Sequence, residues 1–387
     1  MVNARHTPTI RPFVAAAALL AVAMGFGRFA YTPLLVLMRG DVGLTVPFAG
    51  VLASANLAGY LAGALMAMPP VARAHRIALI RLGSIVIVVT TAMMALPAGL
   101  WFAARFATGI ASGLVFVLTA SLLLDRAAET KSRHGSAVMF SGVGIGIATA
   151  GVVVPLSASF GGSSAAWIAL AAIAAVTIAV ALPMLPPSVP APRSAKATSR
   201  DSGNLVGWLA ALYGVEGAAY VVPATFLVAL VSETPAIAHY GAATWILVGV
   251  VTAPSTIWWS AAARRWGLSR ALIAASVVQV AAMLTPLAIG GAAGALILAV
   301  GLGATFIGIS ALGTALAREL RPSNANGAIA LLTVLYGIGQ IIGPLIATRI
   351  HIDTGSYRPA LPVVAGLLGI ATIAFAIRFT ARSNAAE

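Results

Sequence analysis

No cysteine occurs among the 387 residues, which removes disulfides, iron–sulfur ligation and thiol chemistry together. Charge is scarce as well: only 8% of the residues are Asp, Glu, Lys or Arg, against roughly 25% in an ordinary soluble domain. A chain so poor in charge cannot cover its surface with polar groups, so a water-soluble globule is excluded and lipid must be its main solvent. Acidic residues are the rarer sign, 9 against 23 Lys and Arg. The histidines, at 6, 75, 134, 239 and 351, fall at or beyond the ends of apolar runs. Neither a haem nor an intramembrane metal site is expected, and no cofactor is implied.

What the chain does have is apolar length. Hydrophobic residues make up 60% of it, with 39 glycines among them and a mean hydropathy of +1.00. The spacing predicts twelve membrane-spanning helices, over 12–38, 47–68, 77–97, 99–124, 135–158, 164–185, 204–231, 240–262, 269–290, 292–316, 327–350 and 360–380. Each approaches or exceeds the ~20 residues a helix needs to cross a bilayer. Helices are required because unpaired backbone is too costly in hydrocarbon, and the ten-residue alternation of a membrane barrel is missing. The first run, preceded by Arg5 and Arg11, continues through Phe26 to Met38. That is longer than the apolar core of a signal peptide, so it is read as a retained helix.

The net charge of +14 reads as a topology signal, and no nucleic acid partner is expected. Loops, span ends and tails on one side gather Arg5, Arg11, Arg73, Arg76, Arg81, Arg126, Lys131, Arg133, Arg193, Lys196, Arg200, Arg264, Arg265, Arg270, Arg318, Arg321, Arg378 and Arg382, whereas the other side holds only Arg39, Arg349 and Arg358. By the positive-inside rule both termini are cytoplasmic. The expected location is a plasma membrane, the bacterial inner membrane, crossed many times.

Residues 186–203, PPSVPAPRSAKATSRDSG, form the one extended polar segment between spans, and a Pro/Ser-rich stretch of this kind need not pack. It divides the chain into an N-terminal six-helix bundle (1–185), a central cytoplasmic linker (186–203) and a C-terminal six-helix bundle (204–387). Landmarks recur between the halves. Gly25 and Tyr31 match Gly214 and Tyr220, Gly59 matches Gly249, and Gly144-x-Gly146 matches Gly337-x-Gly339. Four matches in order at nearly constant offset favour a repeat. Parallel six-helix repeats are the layout of two-lobed secondary transporters with a site between the lobes.

A charge near the centre of a membrane helix costs about 2.5–3.5 kcal/mol on insertion scales and needs a partner or a wet cavity. Three qualify: Arg28, Arg105 and Glu216. Glu216 lies near the middle of the seventh span, where it can be held neutral by burial or ionised by a nearby cation. A group balanced between those forms suits proton coupling. Arg28 stands in the counterpart first span and is expected either to pair with Glu216 or to grip an anionic substrate with its two-pronged guanidinium. Tyr213, Glu216 and Tyr220 share one helix face. Tyr31 fits an interfacial belt or a binding role, and Tyr220 lies deeper. Asn56, Gln279, Tyr336 and Gln340 complete the polar lining, with Asn56, Tyr336 and Gln340 taken with Arg28, Tyr31 and Tyr220 as substrate contacts and Gln279 read as helix–helix glue. Gly142, Gly144, Gly146 and Pro155 in the fifth span, and Gly337, Gly339 and Pro344 in the eleventh, are expected to be contacts that open and close.

Twelve spans, a central linker and a half-chain repeat together resemble the major facilitator superfamily. Arg105-x-x-x-Gly109-x-x-x-Gly113 is similar to the superfamily's fourth-helix Arg/Gly motif, and that resemblance implies a proton-transfer role for Arg105. The glycine run ending at Pro155 resembles its fifth-helix Gly/Pro motif. The loop from Pro69 to Arg76 keeps basic residues but lacks the superfamily's Gly and Asp. Two stretches are similar to the YbfB-type subgroup: Gly25-Phe-Gly-Arg28-Phe-Ala-Tyr31-Thr-Pro33 and Tyr213-Gly-Val-Glu216-Gly-Ala-Ala-Tyr220-Val-Val-Pro223.

These readings converge on a secondary transporter that moves a small organic solute by alternating access, with protons as co-substrate and a monomer as the expected form. The alternative is an uncoupled facilitator or exchanger of an organic anion. No His-Glu-x-x-His, paired Asp or Ser/Lys dyad lies within the spans, so an intramembrane enzyme is not expected.

Overall fold

The computed structural model describes residues 10–130, 135–186 and 203–384. The linker expected at 186–203 falls outside them except at its two ends, as do Arg5, Lys131, Arg133, Arg193, Lys196, Arg200, Asp201 and Glu387. Helices account for almost everything else. They are α1 (Arg11–Leu20), a π-helical stretch (Ala21–Phe29), α2 (Tyr31–Asp41), α3 (Val46–Met66), α4 (Pro70–Ala74), α5 (Arg76–Met93), α6 (Trp101–Glu129) and α7 (Gly135–Ala181). After the linker come α8 (Gly203–Ser232), α9 (Gly241–Trp266), α10 (Leu268–Ala288), α11 (Gly291–Leu320), α12 (Ala325–Thr354) and α13 (Ala360–Asn384).

Among the described residues, eleven helices are long and apolar enough to cross a membrane. One of them spans Gly135–Met184, 50 residues, about 75 Å at 1.5 Å per residue and so far longer than a hydrocarbon core. Its backbone leaves helical geometry at Gly161 and Gly162, the latter with φ 62° and ψ −149°, a region open essentially to glycine alone. Helical geometry resumes at once because Asp41, at the end of α2, accepts hydrogen bonds from the Ser163 N–H (2.5 Å) and Oγ (3.1 Å). The carboxylate thus satisfies a backbone donor that the new helix start would otherwise leave bare.

Sequence punctuation sets the other ends. Thr45 caps α3 by accepting from the Phe48 N–H, with Pro47 in the first turn. Asn324 caps α12 through Gly327, and Gly355 closes it in the left-handed conformation at φ 76°, the usual way to end a helix without a Cβ penalty. The outer faces carry large apolar side chains, Phe160, Val176 and Ile370 among them, more than two-thirds exposed; in lipid these are solvated.

The N-terminal helices pack chiefly on one another, α3 and α5 on α6 and α1 on α7, and the C-terminal helices do likewise, α8 on α12 and α11 on α10. The two sets meet where α7 lies on α9, α12 on α3 and α2 on α8. The halves repeat their internal contacts. Gly25 lies so close to Gly146 that a Cβ would strike its backbone, and Gly339 stands in the same relation to Gly214, which are the repeat counterparts. The contacts between halves repeat too: Gly144 abuts Gly249 and Ala253, while Gly337 abuts Leu61.

Candidate functional site

The three charged residues singled out in the spans are all buried, Arg28 at 5%, Arg105 at 3% and Glu216 at 0% exposed, but they do not form one ion-paired group. Arg28 lies inside the π-helical stretch, a distortion often found at functional positions. Its Nη2 donates to the Tyr220 hydroxyl at 2.5 Å. Its guanidinium also lies over the rings of Tyr60 and Phe29, 4.7 Å and 5.1 Å from their centroids, where the ring faces attract a cation. Arg28 thus reaches from the N-terminal helices to α8.

Glu216 lies one turn before Tyr220 on the same face of α8 but meets a different partner. Gln279 of α10 donates from Nε2 to both carboxylate oxygens, at 2.9 Å and 2.8 Å. Thr305 Oγ1 of α11 lies 2.8 Å from Gln279 Oε1, with the Gly301 carbonyl at 2.7 Å also within reach of its one proton. Of the two partners expected for Arg28, Glu216 is not the one it meets in this structure: no ion pair joins them among the described residues. The physical reason is the register of α8. Tyr220 meets the guanidinium, while Glu216 spends both oxygens on a donor inside the C-terminal half.

Arg105 is held by backbone. It donates from Nη1 to the Gly27 carbonyl at 3.3 Å and from Nε to the Leu52 carbonyl at 3.4 Å, and its guanidinium lies 4.4 Å from the Tyr31 ring centroid. Asn56 donates to the Gly27 and Arg105 carbonyls at 3.3 Å and 3.0 Å. Gly27 O, at the π-helical stretch, is thus satisfied by two side chains of other helices. Tyr31 is buried and donates to the Ala49 carbonyl at 3.0 Å, so it is not placed in an interfacial belt.

Tyr220 is the junction of the site. Its hydroxyl also receives Gln340 Nε2 at 2.8 Å, and its ring stacks on Tyr336 and Phe306 at 5.5 Å and 5.7 Å between centroids. Tyr336 in turn lies against Tyr213 and within 3.3 Å of Ser310 Oγ. Arg28, Tyr220, Gln340 and Tyr336 are therefore brought together. Arg105, Asn56 and Tyr31 form an adjoining group, and Arg28, Arg105, Asn56 and Tyr31 line a common void of about 20 Å³ with Thr32 and Thr225. Thr32 Oγ1 donates to the Ala224 carbonyl at 2.5 Å, and both residues line the void.

Of the glycine and proline candidates, Gly144 and Gly337 sit between the halves, Gly142, Gly146 and Gly339 within them, Pro155 is exposed and Pro344 buried. Sequence reasoning missed Tyr60, Phe306 and Thr305. Tyr60 is four residues after Asn56 and shares its helix face, a signal present in the sequence; nothing in the sequence marked the other two.

Comparison with known proteins follows the same architecture. The family described as "Uncharacterised MFS-type transporter YbfB" matches residues 20–376. Among curated proteins there is no match. A crystal structure of the nucleoside transporter NupG superposes with TM-score 0.68 at 15% identity, covering 96% of this chain and 99% of that one; a point-mutant form gives 0.71 at 14%, covering 96% and 100%. An auto-inhibited POT family peptide transporter gives 0.67 at 14% identity, covering 95% and 96%. At these identities the likeness is one of fold. With the family match running through both halves and the helices arranged as in solved transporters, the chain belongs to the YbfB-type family of major facilitator superfamily transporters.

Proposed function

We propose that the protein is a proton-coupled secondary transporter of a small organic solute that works by alternating access. Its two six-helix bundles, 1–185 and 204–387, are joined by the linker 186–203, and α7 supplies two crossings separated at Gly161–Gly162, which makes twelve. The excess of Arg and Lys places the linker and both termini in the cytoplasm of a bacterial plasma membrane, and a monomer has all the parts required.

The observation that carries this reading is the division of labour on one turn of α8. Glu216 is fully buried and held by an uncharged amide, while Tyr220 receives the cation from the opposite half. A carboxyl without a cationic partner exchanges a proton once water reaches it, and separation of the halves at the Arg28–Tyr220 contact brings water to that turn. Glu216 is then the proton carrier. Arg28 and Arg105 set the field around it, and Arg28, Tyr31, Asn56, Tyr220, Tyr336 and Gln340 line the solute path. Gly144 against Gly249 and Gly337 against Leu61 are contacts that part in the cycle; Gly142, Gly146, Gly339, Pro155 and Pro344 shape the helices that carry them.

Proteoliposomes containing a pH dye, exposed to a panel of carboxylates, amino acids, nucleosides and sugars, test the proposal. One class is expected to acidify the lumen of wild-type vesicles, and Glu216→Gln is expected to keep downhill solute movement while losing proton flux. Retention of uphill uptake by Glu216→Gln under an imposed pH gradient would show that the proton travels elsewhere.

A further inference from the structure

Resting on the reading of this cavity as the transport site, we infer that the solute is a small carboxylate that also carries a hydrogen-bond donor, a hydroxy acid or its close equivalent. Arg28 supplies the first half of the argument. A guanidinium has five N–H donors, yet among the described residues Arg28 meets one protein acceptor, the neutral Tyr220 hydroxyl, and otherwise only aromatic faces. A buried cation without an anion is costly, and a carboxylate is the partner whose two oxygens match the guanidinium fork. Glu216 cannot be that partner here because both of its oxygens face Gln279. Arg105, the second guanidinium lining the same void, adds positive field and among the described residues meets only backbone carbonyls and the Tyr31 ring.

Asn56 supplies the second half. Its amide orientation is set by two carbonyls that accept from Nδ2, which leaves Oδ1 buried with no donor. An acceptor stranded in this way costs roughly 1–3 kcal/mol, and Asn56 lines the void that Arg28 lines. Gln340 repeats the pattern from the other half: Nε2 reaches Tyr220 and Oε1 has no donor, and turning the amide over would only strand the nitrogen instead. A simple carboxylate answers Arg28 but brings nothing for Asn56 Oδ1. A neutral alcohol or amide does the reverse. A hydroxy acid satisfies both.

The void, about 20 Å³, holds no more than about one water molecule, so a solute enters only after the helices around it move apart. Binding is therefore read on the full-length protein in nanodiscs by thermal stabilisation, with three matched sets of three to six carbons: 2-hydroxycarboxylates, the same acids without the hydroxyl, and amides of the hydroxy acids. The hydroxy acids are expected to bind about tenfold more tightly than the plain acids, and the amides not at all. Arg28→Gln is expected to abolish the acid response. Because that variant can fail to fold, the comparison among the three sets in the wild-type protein decides on its own. Equal binding of plain and hydroxy acids, or binding of the amides, overturns the inference. A silent series also overturns it and leaves water as the only occupant. If a neutral solute instead drives proton entry in the vesicle assay, the transport reading stands and the carboxylate inference falls; if hydroxy acids bind but neither they nor protons cross, the reverse holds.

Discussion

On the alternating-access reading proposed above, Gly144→Ala alters a contact that opens and Gly146→Ala one that does not. A Cβ at Gly144 would lie 2.8 Å from Ala253 Cα and closer still to Ala253 N and the Gly249 carbonyl. All three are backbone atoms of α9, so no side chain can swing aside and α7 must move away from α9. Overpacking of this kind costs about 1–3 kcal/mol. If the proposed cycle parts this contact between the halves, that cost falls on the closed arrangement alone, and at 1.4 kcal/mol per tenfold it raises the open population by about 5- to 150-fold until saturation. The absence of cysteine makes the assay clean. Thr225→Cys places a single thiol at the void, 8% exposed in the closed form, and its labelling by a membrane-impermeant maleimide reports opening toward the Asp41 end. Gly144→Ala is expected to speed labelling within that range. Gly146→Ala is the control: its Cβ would meet Ala21 and Gly25, 2.8 Å and 2.9 Å from their Cα atoms, inside one half in both states. It is expected to lower thermal stability and leave labelling unchanged. A folded Gly144→Ala protein that labels at the wild-type rate refutes the reasoning, as does Gly146→Ala labelling as fast as Gly144→Ala.

Two further outcomes follow from the hydrogen bonds. Tyr220→Phe removes the one acceptor that Arg28 has among the described residues and the partner of Gln340, with an expected loss of about 1–3 kcal/mol. Thermal unfolding of Tyr220→Phe, Arg28→Gln and the double variant should reveal coupling of at least about 0.5 kcal/mol; strict additivity would show the 2.5 Å contact to be without energetic weight. Asp41→Ala strips the Ser163 N–H and Oγ of their acceptor and should lower stability by about 0.5–2 kcal/mol, the range for a lost helix cap. An unchanged melting temperature would mean that Gly162 alone restarts the helix.

The sequence by itself determined the solvent, the secondary structure and the charged residues to watch. Lipid immersion follows from composition, and helices follow from lipid because each backbone group must find its partner inside the segment. Glu216, Arg28 and Arg105 stand out because a charge in an apolar run is costly wherever the helix is placed. Even the matching of Gly25 with Gly214 and Gly146 with Gly339 was readable, and the structure returns it as the same contact made twice. Partnership was decided only by the tertiary structure. Opposite sign and counterpart position suggested that Arg28 meets Glu216, but one turn of rise along α8 separates them, giving Tyr220 to the guanidinium and Gln279 to the acid. A hydrogen bond depends on ångströms and on which face a helix presents, and neither is fixed by the periodicity of a helix that is apolar all round. The π-helical widening at Arg28 and the restart of α7 at Asp41 escaped the sequence for the same reason: each is an arrangement of backbone that neighbouring helices complete.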